Sequence, residues 1–155
     1  MHAKGLVQAI IRVGGFVLED VTVNAGMNEM NLAIRPMKRE QCRCGICHRK
    51  AERYDKCRDR RRWRCLDMGT QKVYAEAEQL RVRCPKHGVV TAAVPWARHS
   101  NRFTKNFEEI AARLSVHASC GTISEFMRVE WHTGVVSATG CIRNWRRTAP
   151  PVLTI

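Results

Sequence analysis

The chain has 155 residues, 27 of them Lys or Arg against 14 Asp or Glu, for a net charge of +13, with 45% apolar and 26% charged residues. That composition excludes wholesale disorder and fibrous repeats, and no apolar run approaches the ~20 residues a membrane-spanning helix needs. The positive excess points to a polyanionic partner; eight cysteines, behind a start that lacks the pattern of an export signal, point to metal in a reducing cytoplasm rather than to disulfides.

In chain order, Leu6, Ile10 and Val13 fall on one side of a short helix that Gly14-Gly15 stops. Phe16, Leu18, Val21 and Val23 lead to the turn signal Asn24-Ala25-Gly26, after which Met30, Leu32 and Ile34 alternate with polar neighbours up to Pro36. This is the pattern of a hairpin. Residues 1–36 are therefore expected to form a helix plus β-hairpin that serves as scaffold.

Residues 35–64 hold thirteen Lys and Arg against only Glu40, Glu52, Asp55 and Asp59, a concentrated basic patch rather than a diffuse property. A strand signal follows at Arg62-Trp63-Arg64-Cys65-Leu66, with Gly69 as a turn, then Val73, Ala75 and Ala77 in alternation. Leu80, Val82 and Cys84 next share one face and Arg81 and Arg83 the other, until Pro85 ends the run.

Within this span lies the sharpest local signal, Cys44-Gly45-Ile46-Cys47 paired with Cys84-Pro85-Lys86-His87. Two residues between donors let both ends of one tight turn reach the same ion, and two such knuckles supply a full tetrahedral set. Residues 37–99 are accordingly expected to be a zinc-ribbon-like domain with one structural zinc on Cys44, Cys47, Cys84 and His87. Cys42 and His48 stand in reserve as replacement donors. Cys65 is expected to be a core thiol, Cys57 an exposed bystander, and Cys120 and Cys141 to stand alone. Trp63 and Trp96 are expected to pack in the interior rather than to stack on bases.

The pattern then turns helical, with Phe107, Ile110, Ala111 and Leu114 at i, i+3, i+4 and i+7. Thr104 caps that helix, expected to reach about His117; Thr122 and Glu125 fit a capping box ahead of a second, and a third starts near Trp131. Three short helices with a turn near Val129-Glu130 point to a helix-turn-helix over residues 100–143, with an irregular tail at 144–155. The expected fold class is α+β: helix and hairpin, a small zinc-ribbon-like sheet, then a helix-turn-helix bundle. No phosphate loop or nucleophile set occurs, so no catalytic residue and no small-molecule substrate are expected.

The runs 42–47, 60–69, 82–89, 94–99 and 103–108 (for example Cys84-Pro85-Lys86-His87-Gly88-Val89 and Val94-Pro95-Trp96-Ala97-Arg98-His99) resemble, in order and spacing, the N-terminal part of ISL-three-type bacterial insertion-sequence transposases. The likeness spans about residues 5–133. It implies a zinc finger and a helix-turn-helix that bind the terminal inverted repeats of an element, ahead of a DDE-type nuclease domain whose acidic residues fall beyond this chain. It supports the four metal donors and places Arg60 to Arg64 and the segment 119–133 in the DNA-binding region.

The expected mechanism has Arg60, Arg61, Arg62, Arg64, Arg81 and Arg83 on phosphates and His132, Thr133 and Arg128 as candidates for reading bases, with a backbone contact as the alternative for Arg128. The partners would be double-stranded DNA and a second copy or a full-length transposase, with no membrane. The tail departs from the family after Thr133, where Gly134 and Gly140 weaken a helix; a frameshift there is the expected cause. The rival readings are a stand-alone zinc-ribbon and helix-turn-helix transcription regulator, and a truncated transposase that inhibits an intact one by pairing with it.

Overall fold

The computed structural model describes residues 14–129, together with Gly5. The helix expected over residues 6–13, the one expected from Trp131, and the tail all lie outside the described residues. The strands are β1 (Phe16–Asn24), β2 (Glu29–Pro36), β3 (Glu52–Arg64), β4 (Lys72–Cys84) and β5 (Gly88–Thr91), followed by helices α1 (Lys105–Leu114) and α2 (Cys120–Phe126). The chain divides into two compact units between Asn106 and Phe107.

In the first unit all five strands join one mixed sheet in the order β1-β2-β4-β3, with β5 also on β4. β1 and β2 form the expected antiparallel hairpin, Phe16 opposite Pro36 and Asn24 opposite Glu29, joined by a single 3-10 turn at Ala25–Met27. The expected fold class fails at the next step. β2 runs parallel to β4, Glu29 opposite Lys72 and Ala33 opposite Glu76, so hairpin and ribbon are one large sheet rather than two small pieces. Alternation dictates which face of a strand is apolar but not which strand it pairs with, and a parallel partner lies far away in sequence by necessity.

β3 begins at Glu52, ten residues before the strand signal at Arg62, and pairs antiparallel with β4 from Glu52 opposite Arg83 to Arg64 opposite Tyr74. Its arginine run looks like a solvated loop because it has almost no apolar alternation; cross-strand charge supplies the pairing instead. Arg60 meets Glu76 and Lys56 meets Glu78 at 3.5 and 3.0 Å, opposite-charge pairs of the kind that hold adjacent strands in register, and Arg62 reaches across β4 to Glu29 of β2 at 3.0 Å.

The side chains of β4 alternate between two faces that we name by their residues. Val73, Ala75, Ala77, Gln79, Arg81 and Arg83 make the alanine face; Tyr74, Glu76, Glu78, Leu80, Val82 and Cys84 make the glutamate face. Burial changes sides along the strand: Val73, Ala75 and Ala77 are buried at its start, Val82 and Cys84 at its end. The core covers the first half of the alanine face, where Phe16, Leu18, Leu32, Ile34, Trp63 and Trp96 cluster. Trp63 and Trp96 meet edge to face at 5.5 Å and are essentially inaccessible, in line with the packing role expected of them. The segment after β5 is tied to the end of β3, with Arg64 N–H donating to Arg102 O at 2.8 Å and Thr104 N–H to Arg64 O at 3.0 Å.

In the second unit α1 buries Phe107, Glu108, Ala111 and Ala112, and the seven-residue α2 buries Ile123. Ser119 caps α2, its hydroxyl accepting from Thr122 N–H, so the cap sits three residues before the one expected at Thr122. Two helices are what the described residues provide; the expected helix-turn-helix bundle is not their architecture.

Candidate metal centre and the basic sheet face

Each knuckle is built by its own backbone. In the first, Cys44 N–H donates to Arg49 O and His48 N–H to Cys44 O, both at 2.9 Å, while Ala51 N–H closes the loop on Cys42 O. Gly45 is buried where only a hydrogen fits: a Cβ there would lie 2.3 Å from His99 Nδ1 and 2.5 Å from Thr91 O. Ile46 N–H donates to Cys44 Sγ at 3.5 Å. The second knuckle is the turn between β4 and β5, where Cys84 pairs with Gly88. Gly88 has φ +68°, a left-handed conformation that costs glycine nothing.

The two knuckles bring Cys44, Cys47, Cys84 and His87 together, their donor atoms all within 4.8 Å of one another. Cys44 Sγ lies 3.5 Å and Cys84 Sγ 3.6 Å from His87 Nδ1, and the thiols of Cys47 and Cys84 are 3.7 Å apart. A tetrahedron with metal–sulfur bonds of about 2.3 Å has edges of about 3.8 Å. A disulfide instead needs about 2.05 Å, and the described cysteines are free thiols. The four donors therefore fit a metal ion. Neither reserve donor joins them: Cys42 and His48 both take left-handed backbone, φ +56° and +58°, and shape the knuckle rather than complete it.

The thiols differ in proton affinity for local reasons. Backbone N–H groups of Lys86 and His87 hold Cys84 down to about 6. Burial pushes Cys65 up to about 12, which keeps it a neutral core thiol as expected. The Arg49 backbone N–H, donating to the Cys47 sulfur, pulls its pKa down, but burial and the neighbouring thiols of Cys44 and Cys84 leave it raised.

The basic residues divide between the faces. On the glutamate face Arg60 and Arg62 are paired with Glu76 and Glu29, and Arg62 also donates to Asn31 and stacks 4.1 Å over Tyr74. Arg64 is buried, ion-paired with Asp67 and bonded to the carbonyls of Cys65 and Val73; it is a fixture of the fold. On the alanine face stand Arg61, Arg81 and Arg83. Arg61 donates to Asn101 O at 2.8 Å, and burial, then the like charge of Arg102, holds its pKa below the ordinary arginine value. Arg61, Gln79 and Thr91 line a small hollow with His48, Arg98 and His99. Arg81 grips the Asp55 carboxylate with two nitrogens, Nε at 2.7 Å from Oδ1, and each group stabilises the other's charge, so Asp55 titrates below and Arg81 above its usual value.

One residue passed over in the sequence reading joins this face. Tyr54 is 48% exposed, with the guanidinium groups of Arg81 and Arg83 at 5.6 and 5.1 Å from its ring centre. Of the remaining expected site residues, Arg128 follows α2 in the second unit, exposed at φ +51°. His132 and Thr133 lie outside the described residues. No described helix is long and apolar enough to cross a membrane.

Comparison with known proteins gives a consistent picture. The chain is 43% identical over 121 residues to the transposase for insertion sequence element IS1557 of Mycobacterium tuberculosis, in strain CDC 1551 / Oshkosh and equally in strain H37Rv. The match takes in 76% of this chain and 27% of that protein, so the chain spans about a quarter of the length of the curated relatives it matches. No family model matches the sequence, and no solved structure matches it.

Proposed function

We propose that this chain is the zinc-dependent DNA-binding part of an insertion-sequence transposase of the ISL-three type, and that it engages the inverted repeats at the ends of its element. Three thiolates and one imidazole at tetrahedral spacing suit zinc, which prefers soft sulfur and nitrogen donors. With four protein donors no coordination position is left for water, so the ion serves the fold and not hydrolysis. The role assigned to this chain is binding; cutting and joining strands calls for carboxylate-held divalent ions, a step given to none of its residues.

The observation that carries the reading is the alanine face beside the knuckles. Arg61, Arg81 and Arg83 stand on it, Arg98 lines the hollow next to Arg61, and Arg102 lies close enough to repel it. Among the paired residues of β3, the acids on this face are Asp55, opposite Arg81, and Glu52, opposite Arg83; Asp59 falls in the second register break, between Lys56 and Arg60. On the glutamate face the arginines are matched by Glu29, Glu76 and Asp67, so the alanine face is the better phosphate surface. Similarity to a transposase supports DNA as the polyanion.

Fluorescence anisotropy with a duplex carrying an element end, beside a scrambled duplex, tests this. If six to ten phosphates are engaged, affinity falls on the order of 10³–10⁵ between 50 and 200 mM salt. Arg61→Ala and Arg83→Ala should each flatten the salt slope by about one, and chelation should abolish binding. A salt-independent signal would rule out DNA docking, and equal affinity for the scrambled duplex would rule out inverted-repeat recognition.

A further inference from the structure

We infer that Tyr54, set between Arg81 and Arg83 on the exposed half of the alanine face, is a stacking seat for an unpaired nucleobase, so that this chain favours DNA carrying unpaired bases over a continuous duplex. The inference rests on the DNA-binding reading of the same face and deepens it. It begins with a break in strand register: Arg53 sits opposite Val82 and Asp55 opposite Arg81, so Tyr54 is one residue too many on β3. Strict alternation would send its ring to the face opposite Asp55. The bulge instead turns it onto the face of Arg81 and Arg83, whose guanidinium groups reach the ring, and re-aiming a side chain is a recurrent use of such bulges.

The ring is left accessible where the other described aromatics of this unit are not. Phe16, Trp63, Trp96 and Phe103 are buried, and Tyr74 is half-buried with Arg62 close over its ring at 4.1 Å; the two guanidinium groups over Tyr54 stand farther off, at 5.1 and 5.6 Å, and leave it 48% exposed. Val89, opposite Arg83 on β5, extends the same open surface and is 44% exposed. The two acids here do not spoil it for an anion: Asp55 is held by Arg81, which fixes the guanidinium plane, and Glu52 is the one remaining carboxylate on this edge of the face.

An exposed ring flanked by cations matches a nucleotide, with the base on the π-face and the phosphates on the guanidinium groups. A paired base inside a duplex shows no free π-face, so the ligand must be unpaired. Along β4 the distance from Ala77, beside Arg61, to Arg83 is about 20 Å at roughly 3.3 Å per residue. That is enough for a few nucleotides running from the Arg61 end toward the ring. Cys84 follows Arg83 directly, so the metal centre anchors the end of the track where the base would rest.

The test uses the zinc-loaded full chain and three probes: a blunt duplex, the same duplex with a six-nucleotide single-stranded extension, and the extension strand alone carrying 2-aminopurine. The extension should tighten binding about five- to hundredfold, the range set by one base on one aromatic ring, and 2-aminopurine emission should drop on binding. Tyr54→Ala should erase that preference while leaving blunt-duplex affinity unchanged, and Tyr54→Phe should keep it. Equal binding of blunt and extended duplex, or a preference that survives Tyr54→Ala, overturns the stacking seat while DNA docking stands. Failure of every probe to bind overturns the DNA-binding reading, and the stacking seat with it.

Discussion

The two ends of β4 are held by different physics. At its start, Val73, Ala75 and Ala77 lie under two tryptophans and a phenylalanine, and the burial of large aromatic surface does the stabilising. At its end, the knuckle it meets, residues 42–51, offers one large aliphatic side chain, Ile46, which is half exposed. Such a segment cannot remove enough apolar area from water to offset the entropy of ordering it. The tryptophan end of the sheet thus has a core and the knuckle end does not; what the knuckle end has instead is four converging donors placed closely enough to hold a metal ion.

The sharpest way to break this contrast is to take the metal away. Structural zinc contributes an apparent ~10–16 kcal/mol in small zinc-binding peptides, so chelation, or Cys44→Ser with Cys84→Ser, is the largest perturbation available. We expect amide protection to vanish over residues 42–51 and 84–93 while the near-ultraviolet signal of Trp63 and Trp96 persists. A full equivalent of metal retained after both changes would remove the ligand assignment; unchanged protection after chelation would remove the contrast itself.

The opposite end should answer to a core deletion. Trp63 is essentially inaccessible and contacts Trp96 edge to face, so Trp63→Ala should cost about 3–5 kcal/mol in denaturant unfolding without changing metal stoichiometry. If metal is lost as well, the two ends unfold as one cooperative unit and the distinction is only geometric.

The same contrast separates what was legible in the sequence from what was not. The four donors were readable because a two-residue spacing is a local property of a tight turn, and the hairpin because alternation and a turn signal sit side by side. The burial of Trp63 and Trp96 followed from an alternating strand and a Pro-Trp corner. Partnerships were not readable: nothing near Glu29 says that it will lie beside Lys72, and so the single sheet was mistaken for two small pieces. Arg64 looks like its neighbours Arg60 to Arg62 in sequence, yet it meets Asp67 in the interior. Tyr54 was hidden for a related reason, since a bulge exists only in the register of two strands and leaves no mark in one of them. The helical spacing of α1 was genuine, but spacing within single helices says nothing of how many helices assemble, and the bundle was inferred one step too far.

Gly45→Ala sharpens the comparison with a smaller effect, at the point where the first knuckle touches the rest of the unit. The new methyl group would meet the His99 ring and Thr91 O, at 2.3 and 2.5 Å. The imidazole ends an exposed side chain and can swing aside; the carbonyl cannot, because it accepts the Gly45 N–H at 3.1 Å and belongs to β5. Relief therefore requires the knuckle to lift from β5, carrying Cys44 with it. A cost of about 1–3 kcal/mol follows for such overpacking, with weaker metal affinity in competition against a chelator. His99→Ala added to Gly45→Ala separates the two clashes: if the backbone contact dominates, the double variant recovers little of either loss, whereas full recovery would show that the ring alone made the site tight and that the knuckle tolerates a side chain.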